Sequence, residues 1–286
     1  MVGMEQIKMS SQSRTKTASV VLPLLLASVA TAAQAGDFSM WTDDQKEDFL
    51  RGGEVIAIKE LKMGVTNSRR ATLSRDGVVH GGHFQAINER KPIFQGATGT
   101  ELDFTDSYQY NVAAYRLDRM INLNLVPVSV LRKIKGKTGA MTWWIEDVQM
   151  MELDRHKKGL TPPNQDAWND QMYNIRVFNE LVYNVDPNLG NVLITDAWLP
   201  RPIDFTRAFR RMKNLRAPKN LQRIDRRVYE GLKGLTIEAL RSELGDYLPK
   251  TATSAILARR DVVVALFDDR IAARGESAVI CDRPGH

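Results

Sequence analysis

The apolar residues of this chain follow two different periods, and the change falls near residue 146. Before it, residues 54–62, 69–74 and 79–87 alternate in the two-residue rhythm of strands. Asp76-Gly77 between the second and third runs is a hairpin signal. Thr42, followed by Asp43, Asp44 and Glu47, marks the start of a short helix ahead of them. Residues 106–122 place Tyr110, Ala113, Ala114, Leu117, Met120 and Ile121 on one helical face. Two further strands, 126–131 and 140–145, follow across a turn ending at Gly139. The first half therefore predicts a small sheet with one helix inserted after its third strand. Beyond it, the polar stretch 152–166 with Pro162-Pro163 predicts a loop. Trp168, Met172, Ile175, Phe178 and Val182 mark a long amphipathic helix. A short hairpin, 191–195 with 201–205, and helices at 220–232, 236–246 and 252–273 complete the chain. A β-rich lobe followed by an α-rich lobe is an α+β architecture, with a ligand cleft expected between the lobes near residues 145–151.

The length, 286 residues, suits one domain of two lobes. The formal net charge of +6 is mild and does not select nucleic acid, for which zinc-finger spacing and a basic stripe with interleaved aromatics are both missing. Cys281 is the only cysteine, which excludes an internal disulfide and a thiolate metal cluster. Its place near the C-terminus suggests neither a nucleophile nor a buried structural role.

The N-terminus reads as an address. Lys8, Arg14 and Lys16 precede the apolar run 18–30, and Ala33-Gln34-Ala35 forms a small-x-small triplet. This is the pattern of a secretory signal peptide cut after Ala35, leaving 36–286 as an exported domain. The run is shorter than the about 20 residues a membrane helix needs, so no stable span is expected after cleavage.

Chemistry concentrates in one stretch, Tyr183-Asn-Val-Asp186-Pro-Asn-Leu-Gly-Asn191, followed by Pro202-Ile-Asp204-Phe-Thr-Arg207. An Asp precedes by five residues an Asn that opens a strand, and a second Asp closes the partner strand. Phosphoryl transfer uses such a set: one carboxylate orients the acceptor proton, while an amide oxygen and a second carboxylate hold a divalent ion. Asp, Asn, Pro and Gly also populate ordinary turns, which is the competing reading.

In this order the segments resemble the protein-kinase-like superfamily. Within it they look most like the atypical branch of phosphatidylinositol 3- and 4-kinases, toxin-type bacterial kinases and secretory-pathway kinases. Asp186 to Asn191 is similar to the catalytic loop, and Ile203-Asp204-Phe205 to the metal-binding segment. Val112 to Asp118, followed by Val126-Pro127, resembles the branch's helix and next strand. The similarity runs through residues 54–275. It implies a two-lobed kinase-like fold, with an N-lobe at about 40–146 and a C-lobe at about 150–286. It implies Asp186 as the catalytic carboxylate, Asn191 and Asp204 as metal ligands, and ATP or another nucleotide with Mg²⁺ or Mn²⁺. Glu146 would mark the adenine-side hinge.

The chain departs from the pattern where a strand lysine pairs with a helix glutamate. Gln85 and Asn111 stand there instead, and Pro187 follows Asp186 where the branch often has arginine. Backbone N–H groups of Gly64, Thr66, Asn67 and Ser68 could face phosphate. Arg69, which shares a strand face with Ala71 and Leu73, could supply the missing cation if that face looks into the cleft. Asp154-Arg155-His156 reads as a solvated loop, His80-Gly-Gly-His83 as strand surface, and Arg207, Arg210, Arg211 and Lys213 as a solvated basic face. The expected function is an exported kinase-like phosphotransferase acting on an unknown protein or small-molecule acceptor. The alternatives are a pseudokinase-type module that binds nucleotide or protein without turnover, and adenylyl transfer.

Overall fold

Strand alternation in the first half builds a mostly antiparallel main sheet and a separate two-stranded hairpin, and helices gather after them. The structure, a computed structural model, describes residues 34–35, 38, 40–61, 68–96 and 99–282. In chain order the sheet part holds β1 (Gln34–Ala35), α1 (Asp43–Gly52), β2 (Glu54–Glu60), β3 (Arg69–Arg75), β4 (Val78–Gln85), β5 (Asn88–Gly96), β6 (Gly99–Ser107), α2 (Gln109–Met120), β7 (Ser129–Ile134) and β8 (Lys137–Trp143). The helical part holds β9 (Val148–Met151), α3 (Glu152–Lys158), α4 (Gln165–Leu181), β10 (Val192–Thr195), β11 (Pro200–Pro202), β12 (Ile224–Asp225), α5 (Arg226–Gly234), α6 (Ile237–Leu244), α7 (Lys250–Arg274), α8 (Glu276–Val279) and β13 (Ile280–Cys281). The main sheet has the order β2-β3-β4-β8-β7, with β1 parallel to β4. The crossing from β4 to β7 carries α2, as the sequence predicts.

Register sorts the side chains of the sheet. Directly opposed residues of antiparallel strands share a face. One row runs Arg69, Phe84, Met141, Val130, and its neighbour runs Arg70, His83, Thr142, Ser129. The first face is covered by α1. A Cβ on Gly82 would strike Met141 Sδ at 2.4 Å and meet Leu50 Cδ2 at 3.6 Å, so glycine is required for this approach. Thr42 caps α1 in a reciprocal capping box with Gln45. In the helical part α4 is the central element, burying Trp168, Ile175, Val177, Phe178 and Leu181. Among the described residues no helix is long and apolar enough to cross a membrane.

Several expectations are corrected. Residues 152–158, expected as loop, form α3. Glu152 and Asp154 lie in its first turn, basic residues in its last, and Gly159 closes it at φ 63°. The hairpin β5–β6 had no expectation at all: its strands are mostly exposed and so lack an apolar period. The helix expected over 220–232 begins only at Arg226, after Asp225 caps it. The second arm of the 191–205 hairpin is shorter, Pro200–Pro202, leaving 203–205 outside the strand. Cys281 is buried, on a strand parallel to β12.

His80 is also buried, not strand surface. Its Nε2 lies 3.0 Å from the Trp144 carbonyl oxygen, and its ring stacks on Trp143 at 3.8 Å. Burial pushes the His80 imidazole down to about 4. A histidine at its ordinary 6.5 in the unfolded chain takes up a proton first as pH falls, so the folded state loses stability from about 6.5 down to about 4. Urea unfolding across that range should show the loss, up to about 3 kcal/mol from this residue. Burial also pushes the His83 imidazole down to about 4, so His80→Phe should remove about half of the slope and leave the His83 part. An unchanged slope in the variant would show that His80 does not carry it.

Candidate functional site

The loop after α4 is folded by its own amides. Buried Asn184 donates from Nδ2 to Asn179 Oδ1 (3.0 Å) and accepts at Oδ1 from the Asp186 N–H (3.0 Å). Asn188 Nδ2 donates to Asp186 Oδ1 (3.1 Å), and Asn191 Nδ2 lies 3.5 Å from the Asp186 carbonyl oxygen. The turn chemistry anticipated for these residues is present, and it holds Asp186 half-buried beside Asn191.

Asp204 reaches this loop through backbone bonds. The Ile203 N–H donates to Asn191 O (2.9 Å), and the Val185 N–H to Arg207 O (3.4 Å). Asp204 adopts φ 58°, a left-handed conformation that aspartate tolerates better than most residues. Thr206 Oγ1 donates to its Oδ1 (3.0 Å). Burial raises the Asp204 carboxyl above its ordinary range and the charge of Asp186 adds to the rise, while hydrogen bonds from Thr206 and Gln85 hold it back. Asp186, Asn191 and Asp204 are thus brought together.

Gln85 and Asn111, the two amides the resemblance puts where an ionic pair is expected, also meet. Asn111 Nδ2 donates to Gln85 Oε1 (2.8 Å), and Asn111 Oδ1 accepts from the Phe205 N–H (2.8 Å). Gln85 in turn donates to the Asp204 carboxylate. One continuous set of bonds therefore joins β4, α2 and the segment carrying Asp204, and Gln85 and Asn111 are both buried.

Arg69 is not placed as anticipated. It shares its face with Phe84, Ala71 and Leu73, the face covered by α1, and its ion pair is with exposed Glu60 at 3.6 Å. Arg70 is the arginine on the face of Gln85. Its guanidinium sits 4.4 Å from the Trp144 ring centroid and bonds both oxygens of Glu146 (2.7 and 3.0 Å). Gly81 lies beneath them, where a Cβ would meet Trp144 Cβ at 2.9 Å and Arg70 Nε at 3.2 Å. Glu146 stands in the connection between β8 and β9, tied to the sheet by Arg70. Gly64, Thr66 and Asn67 lie outside the described residues, and Ser68 offers its carbonyl oxygen to the Leu61 N–H (2.9 Å).

Four features escaped the sequence reading. Asp106, at the end of β6, has a buried Oδ1 with no hydrogen-bond partner among the described residues. Burial and the Asp204 charge both raise its carboxyl. Arg207, Arg210 and Arg211, expected as a solvated face, are ion-paired to Glu101 and Asp103 of the β5–β6 hairpin, and Arg210 is only 6% exposed. Arg155, expected in a solvated loop, ties back to Glu152 on α3. Arg259 of α7, fully buried, donates to the carbonyl oxygens of Leu181 (2.8 Å), Arg210 (3.0 Å) and Met212. It pins the end of α4 to the segment that follows Asp204. Its only sequence signal is an arginine on an otherwise apolar helical face.

The donor set fits a hard divalent cation. Among the described residues no three His, Cys, Asp or Glu side chains converge as ligands, so a cation here would rest on the Asp204 carboxylate and the Asn191 amide, with Asp186 beside them. Their oxygens repel each other in partial burial, and the nearby Asp106 oxygen is unsatisfied. A metal ion would relieve both.

No protein-family model matches the sequence, and no curated protein sequence matches it significantly. Solved structures do resemble the fold. A hydra Fam20 structure with sugar superposes with a TM-score of 0.63 at 12% identity, covering 84% of this chain and 92% of its own. The Golgi casein kinase with Mn/ADP bound superposes with a TM-score of 0.58 at 12% identity, covering 85% and 80%. The fold is that of atypical kinase-like proteins, with a sheet-built N-terminal lobe and a helical C-terminal lobe.

Arg259→Leu should destabilise the protein by about 2–4 kcal/mol, because three backbone carbonyls lose a charged donor. Urea unfolding followed by circular dichroism measures this. A change below about 0.5 kcal/mol would show that the three contacts do not hold the segment.

Proposed function

We propose that the chain is an exported kinase-like phosphotransferase that uses ATP or another nucleotide with Mg²⁺ or Mn²⁺. The mature domain would be 36–286, after cleavage at Ala35, with an N-lobe at about 40–146 and a C-lobe at about 150–286. The observation that carries the reading is the meeting of Asp186, Asn191 and Asp204, with the Asp204 carboxyl raised by burial and by the Asp186 charge. Asn191 and Asp204 would hold the ion, which would neutralise phosphate charge when bound. Asp186 would orient the acceptor hydroxyl and take its proton as the new oxygen–phosphorus bond forms and the nucleoside diphosphate leaves.

A neighbour's bound Mn/ADP makes nucleotide and divalent metal the first ligands to test. Gln85 stands on the third strand of the main antiparallel run where the resemblance expects a lysine, so phosphate charge would be met by the metal and by backbone N–H groups of Gly64, Thr66, Asn67 and Ser68, of which the first three lie outside the described residues. Arg70 replaces Arg69 as the cation to consider, because it lies on the Gln85 face. The absent lysine is also what favours the second reading, binding of nucleotide or protein without turnover.

Thermal unfolding of the full chain with ATP and Mg²⁺ or Mn²⁺ tests the reading. At a ligand concentration about 100 times Kd the gain is about 2.7 kcal/mol, and Asp204→Ala should remove it. Transfer of labelled γ-phosphate to any acceptor, lost in Asp186→Ala, would establish turnover. Metal-dependent stabilisation with no transfer favours the binding module. No stabilisation in the native protein contradicts nucleotide use in both readings.

A further inference from the structure

A cavity of about 790 Å³ is built by α1, the segment after α2, β8, the connection between β8 and β9, and β11. Its walls include Phe38 and Trp143, two aromatic rings packed edge to face at 5.2 Å. Four cationic side chains also line it: Lys46, Arg119, Arg201 and Arg227.

The partners of these charges can be followed one by one. Arg119 is taken by Asp43 and Asp118, and Arg227 lies 3.6 Å from Asp225. On the acidic side Asp43 is held by Arg119, and Glu146 by Arg70. That leaves Asp147 against Lys46 and Arg201. Among the described residues neither Lys46 nor Arg201 forms an ion pair. Arg201 donates to the Asn124 carbonyl oxygen (3.1 Å), and Lys46 Nζ stands 5.8 Å from the Trp143 ring centroid. Lys46 rises from a helix and Arg201 from a strand far along the chain, so their convergence is a product of the tertiary fold. Two like charges facing one cavity repel each other and lose hydration together, unless an anion enters.

We propose that this cavity binds a small organic phosphate, with Lys46 and Arg201 gripping the phosphate and the Phe38–Trp143 wall taking the apolar part. Two cations from different elements match the two charges of a phosphomonoester better than the single charge of a carboxylate. Burial is the largest cause that lowers both the Lys46 ammonium and the Arg201 guanidinium below their ordinary ranges. Arg119 lowers Arg201 further while the carboxylates of Asp118, Asp147 and Asp43 raise it, and Asp43 raises Lys46 while Arg201 and Arg119 lower it. The Trp143–Asp147 segment lines this cavity and also holds Glu146, which Arg70 ties to the opposite side, so an occupant would touch the joint between the two lobes.

Phenyl phosphate is the probe, titrated into the full chain by calorimetry without nucleotide or divalent metal. The result is then independent of the reading of Asp186, Asn191 and Asp204. The native protein should bind it, and Lys46→Ala and Arg201→Gln should each weaken binding by about tenfold or more. Asp204→Ala should leave it unchanged. Phenol, which lacks the phosphate, should not bind. Lys46 sits on the partly exposed α1, so its variant remains informative if Arg201→Gln folds poorly by circular dichroism. Absence of binding, binding unaffected by Lys46→Ala, or equal binding of phenol would overturn the proposal.

Discussion

The side chain of Asn111 decides how the two lobes meet. Its amide nitrogen gives a proton to Gln85, and its amide oxygen takes one from the backbone next to Asp204. A carboxylate–ammonium pair at these places would have to shed two hydration shells, whereas two amides shed much less and still satisfy each other. The amide pair forms a neutral mechanical link between strand, helix and the Asp204 segment. The asparagine and glutamine are therefore a matched pair, each supplying the donor or acceptor the other needs.

Around that neutral centre, charge is used at the periphery. The segment after Asp204 is fixed from outside by Glu101 and Asp103 of the β5–β6 hairpin and from inside by Arg259. The Ser107 N–H adds a backbone bond to Thr206 O (2.9 Å). The loop opposite is fixed by the amides of Asn184, Asn188 and Asn191. The two halves of the site are thus each tied to rigid elements, and what remains between Asp186 and Asp204 is unrelieved repulsion. That repulsion is what a divalent cation would use.

Much of this was legible in the residues. The alternating strands, the α2 face of Ala113, Ala114 and Leu117, and the long helix from Trp168 follow from periodicity, because each buries one apolar face. The approach of Asp186, Asn191 and Asp204 followed from spacing, since a short hairpin returns the chain to its start. The β5–β6 hairpin was invisible because charges hold it in place. Arg69 was misplaced because its position depended on which face α1 covers, a tertiary fact fixed by Leu50 against Gly82. Helix α3 was missed because its signal is charge order, which the prolines after it obscured.

A double-mutant cycle on Gln85→Ala and Asn111→Ala, followed by urea unfolding, addresses the central claim. If the amides act as a pair, the two losses should fall short of additivity by about 1–2 kcal/mol. Additivity within about 0.3 kcal/mol would mean that the two side chains are independent, and that the link between the lobes lies elsewhere.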